Sequence, residues 1–201
     1  MVMKMNNSEI MKSLLQNNNG YLKTADVVSL GVSRSSLGEF VREKGLERVA
    51  HGLYMSDDAW LDQMYIIQVR YPEAIFSHET ALYLHKLAER EPLSLSLTLR
   101  HGANTTGLLK EGVKVYKVKE DLFEKGKKHT LTPMGNPVNV YDVERTVCDL
   151  FRYKNKVSVQ DLQGAVKGYV RMKDKNIPLL MRYAKEFKVE KLVSQYLEVL
   201  L

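Results

Sequence analysis

The residues best suited to chemistry lie in one short stretch, Ser33-Arg34-Ser35-Ser36, with Arg42 further along. Hydroxyls and a guanidinium at the start of a helix can bond base edges in the major groove, where Arg reaches guanine with two parallel hydrogen bonds. Arg48 and His51 lie in the extended segment that follows, and Lys23 precedes the stretch; these suit contacts to the DNA backbone or minor groove. The alternative is that Arg34 and Arg42 are solvated helix residues and the module is a protein-interaction winged helix. Elsewhere the chain lacks the spacings that catalysis or cofactor binding needs. His78, His85, His101 and His129 form no H-E-x-x-H pair, which predicts no metal site. No G-x-G-x-x-G, Walker lysine loop or G-x-S-x-G elbow occurs, so no cofactor and no enzymatic activity are expected. Cys148 falls beside the apolar side of a predicted helix and reads as a core residue, and with no second cysteine no internal disulfide can form. Gly164-x-x-x-Gly168 reads as a site of close helix packing.

The elements that would position the candidate residues follow from local signals. Ser8 is placed to cap a helix with Ile10, Met11, Leu14 and Leu15 on one side, ended by Asn17-Asn18-Asn19-Gly20. Thr24 would cap a second short helix, with Ala25 small where two helices approach, and Gly31 supplies the turn after it. Ser33 would cap a third helix whose Leu37, Phe40 and Val41 face a core, with Gly45 as its stop. Leu46 to Val49 and Leu53 to Met55, joined through Ala50-His51-Gly52, read as a β-hairpin. Three short helices and a hairpin make a winged helix-turn-helix, expected over residues 1–57.

Residues 58–201 read as a larger mixed α/β domain, giving an α+β chain overall. Trp60 to Tyr71 is helical in pattern, as is the segment opened by Ser77 or His78. Leu93 to Leu99 alternates strictly between leucine and a hydroxyl residue, which predicts a strand with one buried face. Val113 to Val118 and Pro137 to Tyr141 read as strands, and Asp142 as the cap of a helix bearing Val143, Val147, Leu150 and Phe151. Val159 to Met172 and Leu179 to Leu201 read as closing helices interrupted by Pro178.

Charge is unevenly spread. The net +6 divides into 7 Lys/Arg against 5 Asp/Glu over residues 1–55, 12 against 14 over 56–151, and 11 against 5 over 152–201. Lys154, Lys156, Lys167, Arg171, Lys173 and Lys175 are therefore candidates for accessory contacts to a polyanion, or simply a solvated helix face. No run approaches the roughly 20 apolar residues of a membrane span. Met1 to Asn7 has one lysine and no apolar stretch of signal-peptide length, so the expected address is the cytoplasm with no membrane partner.

The run Gly31-Val32-Ser33-Arg34-Ser35-Ser36-Leu37, followed by Leu46 to Tyr54, resembles the N-terminal winged helix of the AbiEi-type antitoxins of abortive-infection, type IV toxin–antitoxin systems. Ser77-His78-Glu79-Thr80-Ala81-Leu82-Tyr83-Leu84-His85-Lys86-Leu87, the strand from Leu93 to Leu99, and Tyr141-Asp142-Val143-Glu144-Arg145-Thr146-Val147-Cys148-Asp149-Leu150 follow in that family's order, so the resemblance spans residues 8 to about 155. The wing tip departs from it, with His51 where such proteins often carry arginine. The resemblance implies an N-terminal domain that represses the antitoxin–toxin operon by binding repeats in double-stranded promoter DNA. It also implies a C-terminal antitoxin domain that counteracts a cognate nucleotidyltransferase toxin without a stable complex, in phage defence. Two other readings stay open: a winged-helix regulator whose second domain senses a small ligand, and a nuclease-like enzyme with a DNA-targeting head. The enzyme should show carboxylates clustered at strand ends, where this sequence offers Ser, Lys and Thr.

Overall fold

The structure is a computed structural model that describes residues 6–200. Residues 1–5, on which the reading of the N-terminus as leader-free partly rests, lie outside the described residues. The fold is α+β, with an N-terminal winged helix-turn-helix and a larger mixed α/β region, in two compact units. The first unit comprises the residues up to Pro72 together with Leu131–Pro137; the second comprises Glu73–Thr130 and Val138–Leu201.

In the first unit, α1 (Asn7–Asn17) is capped earlier than Ser8 would allow. Asn6 accepts from the Glu9 amide and Glu9 reaches back to the Asn6 amide, a reciprocal pair that satisfies two helix donors at once. The strand β1 (Tyr21–Lys23) leads into α2 (Thr24–Ser29), where Thr24 is the first helical residue and Lys23 the cap, without a side-chain bond. Ala25 is exposed as seen by solvent, and the residue of α2 that enters the core is Val27. Next come α3 (Arg34–Lys44), β2 (Glu47–Ala50) and β3 (Leu53–Met55), and the three strands form an antiparallel sheet in the order β1-β3-β2. Met11, Leu22, Val27, Val32, Leu37, Phe40 and Leu46 close one core beneath the helices.

A second cluster explains why this unit continues beyond residue 57. The helix α4 (Gln63–Arg70) buries Tyr65 against Tyr21, Leu53 and Met55, the inner side of the wing. Tyr21 and Tyr65 meet edge to face at 5.0 Å. The helical pattern that begins at Trp60 in the sequence starts at Gln63 in the structure, because Asp62 caps it by accepting from the Tyr65 amide. Asp62 is buried, and its other carboxylate oxygen accepts from Thr132 Oγ1 at 2.5 Å and Asn136 Nδ2 at 2.8 Å.

The second unit holds β4 (Ile75–Phe76), α5 (His78–Leu84), β5 (Ser96–Arg100), α6 (Thr106–Lys110), β6 (Lys114–Val118), α7 (Glu120–Phe123) and, apart from the end residues Leu131 and Pro137, β7 (Lys127–Leu131) and β8 (Pro137–Tyr141). The sheet order is β6-β5-β4-β8-β7, mixed in direction: β5 runs parallel to β6 and antiparallel to β4, which runs parallel to β8. The strand expected at Leu93 begins at Ser96, and both of its faces are buried. Its hydroxyls are accommodated by bonds: Ser96 Oγ donates to Glu79 and Thr98 Oγ1 to Ser77 Oγ. After the sheet come α8 (Val143–Arg152), a 3-10 turn at Lys154–Lys156, α9 (Val159–Arg171), α10 (Ile177–Glu186) and α11 (Glu190–Leu200), whose apolar residues share one core. Pro178 does not interrupt a helix; it sits in the first turn of α10, where its missing N–H costs nothing. Cys148 is fully buried, and burial pushes its thiol up, away from thiolate chemistry. Of the two spaced glycines, a Cβ at Gly168 would lie 3.0 Å from Leu87, whereas at Gly164 it would meet open space.

His78 opens α5 with a left-handed φ of 51° and is 1% exposed. Its ring stacks on Tyr116 at 3.5 Å, with Tyr153 edge-on, and its Nδ1 lies 3.0 Å from Ser77 Oγ. Burial lowers its pKa to about 4; the nearby carboxylates of Asp149 and Glu79 oppose this, and Arg145 and Arg152 reinforce it. The unfolded chain therefore takes up this proton near pH 6.5 and the folded chain only near 4, so stability is lost as pH falls between those values. At about 1.36 kcal/mol per pH unit the loss from this group is about 3 kcal/mol. Urea denaturation at pH 7 and pH 4.5 should show it, and His78→Asn, which tolerates the left-handed backbone, should flatten the difference. An unflattened profile in a folded variant would show that other groups carry the acid sensitivity.

Candidate nucleic-acid interface

The candidate reading helix is α3. Ser33 caps it by accepting from the Ser36 amide at 3.1 Å, and its hydroxyl lies 2.9 Å from both the Ser35 and Ser36 hydroxyls. The three serines are thus knitted together at the helix start, leaving Ser33 and Ser35 exposed and Ser36 half-buried. The turn between α2 and α3 is closed by Gly31 at φ 81°, and Gly45 ends α3 at φ 63°. With Leu37 and Phe40 in the core, helical geometry places Arg34, Ser35, Gly38 and Arg42 within about 100° on the opposite face. Arg34 and Arg42 are exposed, and neither side chain bonds another group among the described residues, so both guanidinium forks are free for an anion. Glu43 stands further round the helix; its contact with Lys44 holds its carboxyl below the usual range.

The wing is set against this helix pair by the Thr24 amide, which donates to Gly52 O at 2.8 Å. Arg48 Nη2 donates to His51 Nδ1 at 3.0 Å, which requires that nitrogen to be unprotonated. The strand register shifts between Arg48 and Ala50, a bulge that turns the wing tip. Lys23 is differently engaged: its ammonium lies 5.0 Å over the Tyr65 ring and the residue is half-buried. The structure thus gathers Ser33, Arg34, Ser35, Ser36 and Arg42 on one helix and pairs Arg48 with His51, while Lys23 faces an aromatic ring. Gly38 belongs to the same face, although it has no side chain whose type could point to DNA. A glycine in mid-helix is its signal, because it costs about 1 kcal/mol against alanine and so asks for a reason.

The accessory cations lie in the second unit. Lys154 and Lys156 occupy the 3-10 turn, Lys167 and Arg171 lie on α9, and Lys173 and Lys175 follow it. Lys175 donates to Met172 O at 3.1 Å and Lys156 lies 5.9 Å from the Tyr153 ring centroid; the other four make no such contact among the described residues. Among the described residues no group of three His, Cys, Asp or Glu could hold a metal ion, and no helix is long and apolar enough to cross a membrane.

Residues 9–56 match the family described as "Transcriptional regulator, AbiEi antitoxin". The match begins within α1 and ends just after β3, so it covers the reading helix and the wing. It supports a regulator role for this segment, and with it binding to DNA. No curated protein matches the sequence. Among solved structures, the crystal structure of the RV2827C protein from Mycobacterium tuberculosis is similar, with a TM-score of 0.56 at 13% identity, covering 89% of this chain and 70% of that one. At that identity the likeness is one of fold.

Gly38 offers a test of which face meets DNA. A Cβ there would touch nothing within 4 Å, so Gly38→Ala should stabilise the protein by about 0.5–1 kcal/mol. Between Arg34 and Arg42 the same methyl would hold the helix away from the groove floor and weaken duplex binding. Thermal melts and gel shifts on one preparation separate the two effects; a stabilised variant that binds as tightly as the parent would move the interface to another face of α3.

Proposed function

We propose that this chain is a cytoplasmic antitoxin and autorepressor of a type IV toxin–antitoxin operon, acting in abortive phage infection. The winged helix, placed by sequence at 1–57, binds repeats in the double-stranded promoter. The remainder, 58–201, counteracts a nucleotidyltransferase toxin without holding it in a stable complex. The carrying observation is the family match over residues 9–56, joined to a capped helix in that segment whose Arg34 and Arg42 have no partner among the described residues. In this reading Arg34 contacts guanine, Ser33, Ser35 and Ser36 bond phosphate or base edges, and Arg48, with His51 as its acceptor, follows the backbone or minor groove. Lys23 lends charge at the edge.

Repression and protection then separate by point substitution. Arg34→Ala should cost about 1–3 kcal/mol at the protein's own promoter in gel shifts. The same variant, co-expressed with the toxin, should still rescue growth. If a folded variant fails both to repress and to protect, the division of labour is removed.

We assign the exposed cations of the second unit to additional phosphate contacts. Each phosphate neutralised steepens the fall of log affinity with log salt by about 0.9. Replacing Lys154, Lys167, Arg171 and Lys173 with glutamine should flatten the slope measured on promoter DNA, by that amount for every phosphate no longer neutralised. An unchanged slope assigns these cations to the toxin or its substrate instead of to DNA.

A further inference from the structure

Trp60 is 78% exposed, an unusual setting for the residue with the largest apolar surface. It lines a cleft of about 240 Å³ in the first unit, together with Asn19, Gly20, Asp58, Ala59 and Met134. The walls are fixed by hydrogen bonds. The Tyr21 hydroxyl donates to Trp60 O at 2.9 Å and accepts from the Asp62 amide at 2.8 Å. Asn19 Nδ2 donates to Gly135 O and Asn136 Oδ1, both at 3.1 Å, and Asn136 is held in turn by buried Asp62. Gly20 stands so close to the opposite wall that a Cβ there would lie 2.5 Å from the Ala59 Cβ. Rigid backbone thus presents an aromatic ring, a thioether and a carboxylate to the cleft. The Trp60 ring has no aromatic or cationic neighbour among the described residues, and Asp57 and Asp58 are exposed and form no ion pair there.

We propose that this cleft receives an arginine or lysine side chain presented by a partner polypeptide. The chemistry of the lining selects a cation: an indole face attracts one through its quadrupole, arginine best because its plane also stacks, and the Asp58 carboxylate adds a charged acceptor. The surroundings select a polypeptide over a free amine. Leu61, 64% exposed, adjoins Trp60 in sequence, and Leu131, 61% exposed, lies in the same Leu131–Pro137 segment as Met134. A small cation would leave these side chains in water, whereas a chain bearing apolar residues beside its arginine would cover them. The site shares no residue with the candidate DNA-reading face, and its test does not depend on that reading.

Trp60 is the single tryptophan of the sequence, so the full-length protein has one indole N–H resonance and it reports on this cleft. The probes are N-acetyl-arginine amide, its neutral isostere N-acetyl-citrulline amide, an acetylated Leu-Arg-Leu amide, and spermidine, each titrated at up to millimolar concentration. The arginine probe should move the indole resonance saturably, with citrulline at least tenfold weaker, and the tripeptide should bind more tightly than arginine alone. Asp58→Asn, at an exposed position, should remove most of the advantage of arginine over citrulline. Equal responses to arginine and citrulline, no response to either, or an unaffected Asp58→Asn protein would overturn cation recognition. Spermidine binding more tightly than the tripeptide would assign the cleft to a free amine and overturn the polypeptide partner.

Discussion

Arg145 is wholly buried, and the second unit is arranged around the need to accommodate its charge. An unpaired guanidinium away from water is among the costliest groups a fold can contain. Here Nε donates to Asp149 at 2.8 Å, while Nη1 donates to the carbonyls of Leu122 and Lys125. The rings of Tyr141 and Phe187 lie on the guanidinium at 4.2 and 4.1 Å. Those partners come from β8, α8, the end of α7 with its following turn, and the end of α10, so one side chain ties together segments far apart in sequence. Gly126 shows how tightly the chain is drawn: it sits at φ 76°, and a Cβ would lie 2.7 Å from that of Arg145. Removing Asp149 or misplacing Gly126 would leave a buried charge uncompensated, and such losses run to about 3–5 kcal/mol. One nitrogen, Nη2, has no partner among the described residues, and so the arrangement already operates close to its limit.

The first unit depends on a smaller version of the same constraint. Buried Asp62 caps α4 and anchors Thr132 and Asn136, while the Tyr21 hydroxyl fixes the backbone on either side of Trp60. Through Tyr21 and Tyr65 that polar node is joined to the inner side of the wing. The wing strands therefore rest on a surface whose geometry is set by hydrogen bonds beyond the matched segment 9–56. A helix-turn-helix of this size has a small core, and the α4 contribution enlarges it where the wing strands would otherwise expose Leu53 and Met55.

The first unit was largely readable from sequence because its signals are local. Asn19-Gly20, Gly31, Ser33 and Gly45 punctuate helices by backbone chemistry that acts within a few residues, and β3 and the third helix fall where those signals put them. The differences arise where distant partners decide. The helix starts are a separate case: Asn6 takes the cap from Ser8 through its reciprocal pair with Glu9, a local signal, and Lys23 stands as the cap before Thr24 without a side-chain bond. The leucine–hydroxyl alternation before Leu99 has the period of a one-faced strand, but Ser96 and Thr98 find acceptors on α5 and the residue before it, so both faces are covered. Two-residue β4 and polar β7 carry too little pattern to stand out. At the candidate interface the polar residues were legible by type, whereas Gly38 and the pairing of Arg48 with His51 needed three-dimensional placement.

The distribution of charge bears on how such a protein would divide affinity from specificity. Phosphate contacts supply most of the affinity of a DNA-binding protein and carry no sequence information, while a few base-edge contacts supply discrimination. The winged-helix segment is poor in the first resource, with 7 cations against 5 anions over residues 1–55, and Lys23 is turned toward Tyr65. What it presents on α3 is two guanidinium groups without a partner among the described residues, a knot of hydroxyls and a glycine that keeps the surface low. That combination favours close reading of a groove over general attraction to a polyanion. Residues 152–201, with 11 cations against 5 anions, would in the proposed reading supply the complementary resource, long-range and insensitive to sequence. In the proposed reading discrimination would survive as salt rises, since screening weakens distant phosphate attraction more than a desolvated bidentate contact.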